Sequence, residues 1–165
     1  MTEKTLEAVL GETLDSRGLT IATAESCTGG LVGHRITNVP GSSKYYLGGV
    51  TSYAYHSKVR LLDVKWQTLE SHGAVSQETV AEMAAGVRAS LDADIGIAVS
   101  GIAGPGGGSP GKPVGLVWLG LSTPDGDWTR DHNFKGDRIA VKEQAAEGAL
   151  QFILDYLEGE MLGGN

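Results

Sequence analysis

The stretch DIGIAVS, residues 94–100, is followed by the glycine-rich segment GIAGPGGGSPGKP, residues 101–113, and then by VGLVWLGL, residues 114–121. Short apolar runs that glycine and proline bound are typical of buried strands. The segment between the two runs shows no helical pattern, whereas a parallel pair of strands needs a long crossover connection. We therefore expect 94–100 to be a central strand with 114–121 as its antiparallel neighbour, so that the sheet is mixed.

Outward from this pair, predicted strands and helices alternate along the chain. Further strands are expected at residues 19–24, 45–55 and 127–134, the last as an edge strand because polar and apolar residues alternate in it. Helices are expected at residues 3–17, about 28–40, 56–62, 66–72, 76–90 and 137–157, and the tail GEMLGGN, residues 159–165, is expected to fray. The interleaving predicts one α/β domain over residues 1–165, a three-layer α/β/α fold with a mixed central sheet of about five strands.

Composition and charge exclude several classes of protein. Glycine makes up 25 of the 165 residues, but 41% of the residues are hydrophobic and 20% are charged, which argues against collagen-like and disordered chains. A net charge of −7, with no run of basic residues, argues against binding nucleic acid. The single cysteine fits a reducing cytoplasm, and the sequence shows neither a signal peptide nor an apolar stretch long enough to predict a membrane span.

The glycine-rich segment fits a phosphate-binding pattern only in part. Gly106, Gly111 and Lys112 satisfy the start of a P-loop. Pro113, however, stands where a serine or threonine must hold magnesium, and a strand follows where the motif needs a helix. Two interpretations are left: a flexible hairpin loop, or a loop whose glycines let the backbone approach a ligand at the carboxyl end of a strand.

A second cluster, ESCTGG at residues 25–30, lies at a predicted junction between a strand and a helix. Ser26 and Cys27 are both candidate nucleophiles there, and the amides of the residues that follow could stabilise an oxyanion or a phosphate. The alternative is structural, with a serine or threonine as the helix N-cap and the cysteine as a small core residue.

A serine nucleophile needs a base, and no spacing ties a histidine to this cluster. Lys58 is the best-placed lysine, because it follows an aromatic strand end and burial can lower the pKa of a lysine enough for it to accept a proton. A solvated surface lysine is the alternative interpretation. The four histidines are isolated and show no paired-ligand spacing, so no metal site is expected.

Five segments in chain order carry a resemblance to a known family: ATAESCTGG (22–30), VTSYAYHSKVRLLDV (50–64), GAVSQETV (73–80), SGIAGPGGGSPGKPVG (100–115) and FKGDRIAVKEQA (134–145). Together they resemble the CinA C-terminal domain family over about residues 5–157, which is the expected core of the domain. Larger members of the family carry a further N-terminal domain, and its activity is not transferred to this sequence.

The resemblance implies an amidase that hydrolyses nicotinamide mononucleotide to nicotinate mononucleotide and ammonia, acting as a homodimer without a metal or an organic cofactor. It implies Ser26 as the nucleophile, Lys58 as the general base, and Tyr53 as a group that orients the lysine or packs on the ring. The residues that it implies for substrate binding are Thr28, Gly29, Gly30, Gly101, Ala103, Gly104 and Arg138.

The sequence departs from the family pattern within one of these segments. Where the family has Y-S-N-E-A-K, this chain has YAYHSK at residues 53–58, so Tyr55 and His56 replace an asparagine and a glutamate. Lys142 replaces a family arginine and keeps the charge without the planar fork that suits a phosphate. Two other functions stay open: a non-catalytic module of this family that binds a nucleotide or a protein, and a hydrolase of small amides in general.

Overall fold

Residues 2–161, which the computed structural model describes, contain five β-strands and six α-helices. The strands are β1 (Ile21–Glu25), β2 (Tyr46–Thr51), β3 (Ile95–Gly101), β4 (Leu116–Thr123) and β5 (Gly126–Asn133). The helices are α1 (Leu6–Arg17), α2 (Leu31–Thr37), α3 (Tyr55–Leu62), α4 (Trp66–His72), α5 (Gln77–Ser90) and α6 (Arg138–Leu157). Residues 162–165, for which fraying is predicted, lie outside the described part of the chain.

Side-chain caps begin the three longest helices. Thr5, Ser76 and Asp137 each accept a hydrogen bond from the backbone N–H three residues further on, at 3.3, 3.2 and 2.9 Å. Each bond satisfies one of the donors that the first turn of a helix leaves unpaired. Ser76 and Asp137 thus begin the helices that the sequence predicts for residues 76–90 and 137–157.

The five strands form one mixed sheet in the order β2-β1-β3-β4-β5. Strand β1 pairs in parallel with β2 and β3, whereas β3 with β4 and β4 with β5 are antiparallel. The predicted antiparallel neighbours are therefore confirmed, and β3 lies at the centre. Because β1, β2 and β3 run in the same direction, their carboxyl ends meet at one edge of the sheet, where ligands of α/β proteins commonly bind.

Helices cover both faces of the sheet, which confirms the three-layer prediction. On one face, α1, α2 and α6 enclose a large apolar core that includes Leu10, Ile36 and Phe152. On the other face, α5 packs on β3 and β4 with α3 and α4 outside it, around a smaller core that includes Leu62 and Met83.

Glycines let α5 approach the sheet closely. A Cβ atom on Gly96 of β3 would collide with the backbone carbonyl of Ala84, and one on Gly120 of β4 would collide with that of Val80. Because both contacts are with the backbone of α5, no rotation of a side chain can relieve them. Part of the glycine excess therefore serves the packing of a helix on a sheet.

The predicted element boundaries are wrong at one functionally relevant place. The strand predicted for residues 45–55 ends at Thr51, and Tyr55 instead begins α3. Residues with a preference for strands continue along the sequence beyond the end of β2. The sequence pattern therefore does not show where the strand ends. Within residues 2–161, none of the helices has the length and apolarity that crossing a bilayer requires.

Replacing Gly120 with alanine is expected to destabilise the fold by about 1–3 kcal/mol, the usual cost of overpacking a well-packed interior. The measurement is the free energy of unfolding from urea denaturation. Gly106→Ala is the matched control, because a Cβ atom there would meet no atom within 4 Å. Equal stabilities of the two variants would contradict the packing role of Gly120.

Candidate active site

The turn that leaves β1 carries Ser26 to the carboxyl edge of the sheet. The Ser26 N–H donates to the carbonyl of Val99 at 2.9 Å, which ties the turn to β3. Gly29 and Gly30 then adopt φ angles of 62° and 105°, in the region that favours glycine. These two glycines allow the chain to reverse sharply between the nucleophile candidate and α2.

A buried carboxylate that the sequence analysis did not identify holds this turn in place. Glu25 is only 2% exposed, and its side chain accepts hydrogen bonds from the Thr28 hydroxyl at 2.6 Å and from the N–H groups of Val32 and Gly33 at 2.9 and 3.1 Å. The carboxylate thus occupies the amides at the start of α2. A single acidic residue at the end of an otherwise apolar strand is the sequence feature that could have indicated it.

Lys58 extends from α3 into the interior and meets Ser26. Its side chain is 1% exposed, so the alternative of a solvated surface lysine is wrong. Nζ donates to Ser26 Oγ at 3.0 Å and to the carbonyl of Ser52 at 2.6 Å. Burial lowers the pKa of the Lys58 ammonium to about 8, because an apolar surrounding disfavours the charged form.

Cys27, the other candidate nucleophile, has a buried thiol, and its surroundings disfavour the charged form. Burial raises the pKa of its thiol to about 11. At neutral pH the thiol is therefore protonated, whereas the thiolate is the nucleophilic form. Of the two neighbouring candidates, only Ser26 has a base within hydrogen-bond distance in the described part of the chain.

A cavity of about 270 Å³ opens beside Ser26 and Lys58. The loop that follows β3 forms much of its wall, as the interpretation of this loop as a ligand-approach segment predicts. The predicted site residues that line it are Ser26, Tyr53, Lys58, Gly101, Ala103, Gly104 and Arg138. Thr28, Gly29 and Gly30 are not part of its lining.

Arg138, at the first turn of α6, connects three segments at this cavity. One guanidinium nitrogen donates to the carbonyl of Gly104 at 2.7 Å, and another donates to the hydroxyl of Tyr53 at 2.9 Å. The arginine therefore lies between the loop after β3 and the segment that joins β2 to α3. Arg138 and Lys58 are the two cationic side chains of the lining.

The amides that follow Ser26 differ in whether they already have a hydrogen-bond acceptor. The Gly29 N–H donates to the carbonyl of Ser26 at 3.0 Å, so it is occupied within the turn. Among the described residues, the N–H groups of Cys27 and Thr28 donate to no protein acceptor. The residue directly after a nucleophile often supplies such a donor to an oxyanion, and Cys27 lines the cavity.

Gly104 lines the cavity and also has a backbone conformation that favours glycine. Its φ is 87°, and a Cβ atom there would lie 2.5 Å from a methyl group of Val114. The family resemblance implies that this glycine binds the substrate. The structure adds that a side chain at this position would strain the loop itself.

Comparisons with known proteins agree with the family resemblance and with the fold. The sequence model of the CinA C-terminal domain family matches residues 3–157. A CinA-like protein of Desulfotalea psychrophila is 47% identical over 153 residues, which are 93% of this chain and 37% of that protein. The chain therefore spans well under half the length of this curated relative.

Solved structures of similar length superpose on the fold. The competence damage-inducible protein A of Klebsiella pneumoniae is 37% identical, with a TM-score of 0.90 over 93% of this chain and 96% of that chain. A protein of the competence-damaged protein (CinA) superfamily from Escherichia coli is 35% identical, with a TM-score of 0.88 over 92% and 88% of the two chains. Since the family match extends over nearly all of the described residues, this chain belongs to the CinA C-terminal domain family.

Proposed function

We propose that this protein is an amidase that hydrolyses nicotinamide mononucleotide to nicotinate mononucleotide and ammonia, with Ser26 as nucleophile and Lys58 as general base. The observation that carries the proposal is the 3.0 Å hydrogen bond between Lys58 Nζ and Ser26 Oγ in a buried position beside a cavity. A lysine whose pKa is near 8 is partly neutral at physiological pH, which a base must be. The substrate itself comes from the family resemblance.

In the first half of the reaction, neutral Lys58 takes the proton from the Ser26 hydroxyl while Oγ attacks the carboxamide carbon. The electron pair of the carbonyl moves to its oxygen, and the N–H group of Cys27, which lines the cavity, is a candidate to stabilise that oxyanion. When the oxyanion collapses, the C–N bond breaks and Lys58 returns the proton to the leaving nitrogen. Ammonia departs and an ester remains on Ser26.

In the second half, Lys58 takes a proton from water and the hydroxide attacks the ester carbon. Collapse of this second oxyanion breaks the bond to Oγ, and Lys58 gives the proton back to Ser26. The carboxylic acid that leaves then loses its own proton. One amide and one water are consumed, and the enzyme returns to its initial state.

Substrate recognition in this proposal uses the other cation of the cavity. The Arg138 guanidinium is planar and can pair with two oxygens of a phosphate. Its present partners, the Gly104 carbonyl and the Tyr53 hydroxyl, are neutral acceptors, so a phosphate dianion would compete well for the same donors. The α2 N-terminus is a poorer anion site, because Glu25 already accepts from its amides.

Ser26→Ala is expected to reduce ammonia release from nicotinamide mononucleotide by at least about 1,000-fold, because it removes the group that forms the ester. Lys58→Met, which keeps the length of the side chain, is expected to reduce it by about 100- to 10,000-fold, the usual contribution of a general base. Coupled detection of ammonia gives the rate, and circular dichroism verifies the fold.

The neighbouring thiol provides the control for that experiment. Cys27→Ala is expected to retain most of the activity, because a thiol with a raised pKa takes no part in the reaction. Loss of activity in Cys27→Ala with retention in Ser26→Ala would contradict the assignment of the nucleophile. Binding of the nucleotide without any release of ammonia by the unmodified protein would instead identify a non-catalytic module.

The rate is expected to follow the titration of Lys58. Because the neutral amine is the active form, kcat/KM should fall about tenfold per pH unit below pH 8 and level off above it. Initial rates between pH 6 and 10 measure this dependence. Lys58→Arg keeps its charge throughout that range and should stay inactive at every pH. A profile that is flat between pH 6 and 9 would contradict a base with this pKa.

Arg138→Gln is expected to lower kcat/KM for nicotinamide mononucleotide by about 10- to 100-fold, the usual effect of losing a charged hydrogen bond. The comparison substrate is nicotinamide riboside, which has no phosphate and should react with the variant and the unmodified protein at similar rates. Equal losses for the two substrates would show that Arg138 supports the cavity wall without binding the phosphate.

A further inference from the structure

The lining of the cavity contains two cationic side chains and no acidic one among the described residues. Lys58 and Arg138 are the cations, and the remaining residues are aromatic, aliphatic, hydroxyl-bearing or glycine, with one cysteine. A substrate ring with a positive charge therefore finds no carboxylate in this wall. The groups that can stabilise such a ring are the faces of aromatic side chains, which carry negative electrostatic potential.

Two aromatic rings line the cavity, and their surroundings differ. Tyr53 is 63% exposed, and its hydroxyl accepts a hydrogen bond from the Arg138 guanidinium, which ties the end of this side chain to a cation. Among the described residues, the Tyr55 hydroxyl has no such partner. Tyr55 is 40% exposed although it is a large aromatic residue, which leaves part of its ring surface open to a ligand.

Tyr55 is positioned by the helix that carries it and by a neighbouring aromatic ring. It is the first residue of α3, one helical turn before Lys58, so that the two side chains share a helix face. Its ring meets the Trp66 ring edge to face, with centroids 6.0 Å apart and planes at 76°. Trp66 is held in turn by a hydrogen bond of 2.6 Å from its indole N–H to Glu70. A ring braced in this way loses little side-chain freedom when it contacts a ligand.

We propose that Tyr55, braced by Trp66, is a specificity-determining residue that stacks on the cationic pyridinium ring of the substrate and selects it over uncharged amides. The proposal rests on the proposed function, since it concerns the same substrate and the same cavity. It also gives a role to the sequence departure in the YAYHSK segment, where Tyr55 stands in the place of a family asparagine.

The test compares two ligands that differ in the charge of the ring. Nicotinamide mononucleotide and its reduced dihydro form share the carboxamide, the ribose and the phosphate, but only the oxidised ring is cationic. Dissociation constants are measured by calorimetry with Ser26→Ala protein, so that no turnover occurs. Tyr55→Leu is expected to weaken binding of the oxidised nucleotide by about 3- to 30-fold, the range of a cation–π contact, and to leave the reduced one nearly unchanged.

Three further variants separate stacking from general packing. Tyr55→Phe keeps the ring face and should preserve the ratio of the two dissociation constants. Trp66→Leu removes the brace and should lower that ratio in part. Leu61→Ala is the matched control, because Leu61 is exposed on the same helix and lies outside the cavity lining, so it should change neither constant.

If Tyr55→Leu weakens binding of both nucleotides equally, the proposal is overturned, because the contact then does not depend on the charge of the ring. Unchanged binding of both would overturn it too, since the ring would then not touch the ligand. Failure of the proposed function looks different. If the amidase activity is absent, the unmodified protein releases no ammonia, whatever the two dissociation constants are. If the substrate assignment is wrong, neither nucleotide binds the Ser26→Ala protein, and the role of Tyr55 falls with it.

Discussion

The candidate site depends on the burial of one amine. Lys58 lies in the interior with a carbonyl and a hydroxyl as its hydrogen-bond partners, and no carboxylate among residues 2–161 forms an ion pair with it. A charged ammonium in that position is costly, so its pKa falls towards neutrality. The fold produces this arrangement. Helix α3 directs the lysine inward, and its two partners, the Ser26 hydroxyl and the Ser52 carbonyl, directly follow β1 and β2.

The position of Ser26 is set by a second buried polar side chain, that of Glu25. Glu25 bonds to the amides at the start of α2 and to the Thr28 hydroxyl, and the N–H of Ser26 bonds to β3. The hydroxyl therefore lies on a turn that is held from both sides, where a displacement of about 1 Å would cost much of the rate of a reaction. The Glu25 carboxylate and the Lys58 amine have separate roles. The carboxylate fixes the backbone of the turn, and the lowered pKa of the amine lets it gain and lose a proton near neutral pH.

Much of the fold could be predicted from the sequence, because apolar runs and turn residues report on local structure. The mixed sheet follows from the lack of a helix between residues 94–100 and 114–121, and the caps Ser76 and Asp137 follow from local chemistry. The burial of Lys58 depends on contacts between distant segments, so the residue type alone leaves it undecided. Similarly, Gly120 is a packing residue only because α5 crosses β4 at that point, which no local pattern reveals.

The burial of Cys27 has a consequence for the chemical durability of the protein. The chain has one cysteine, and it stands directly beside the candidate nucleophile in the cavity wall. Oxidants and alkylating agents attack the thiolate, and at a pKa of about 11 only about one thiol in ten thousand is ionised at pH 7. The thiol beside the candidate site is thus expected to react slowly with oxidants and alkylating agents, so that the cavity stays open to a ligand when these reagents are present.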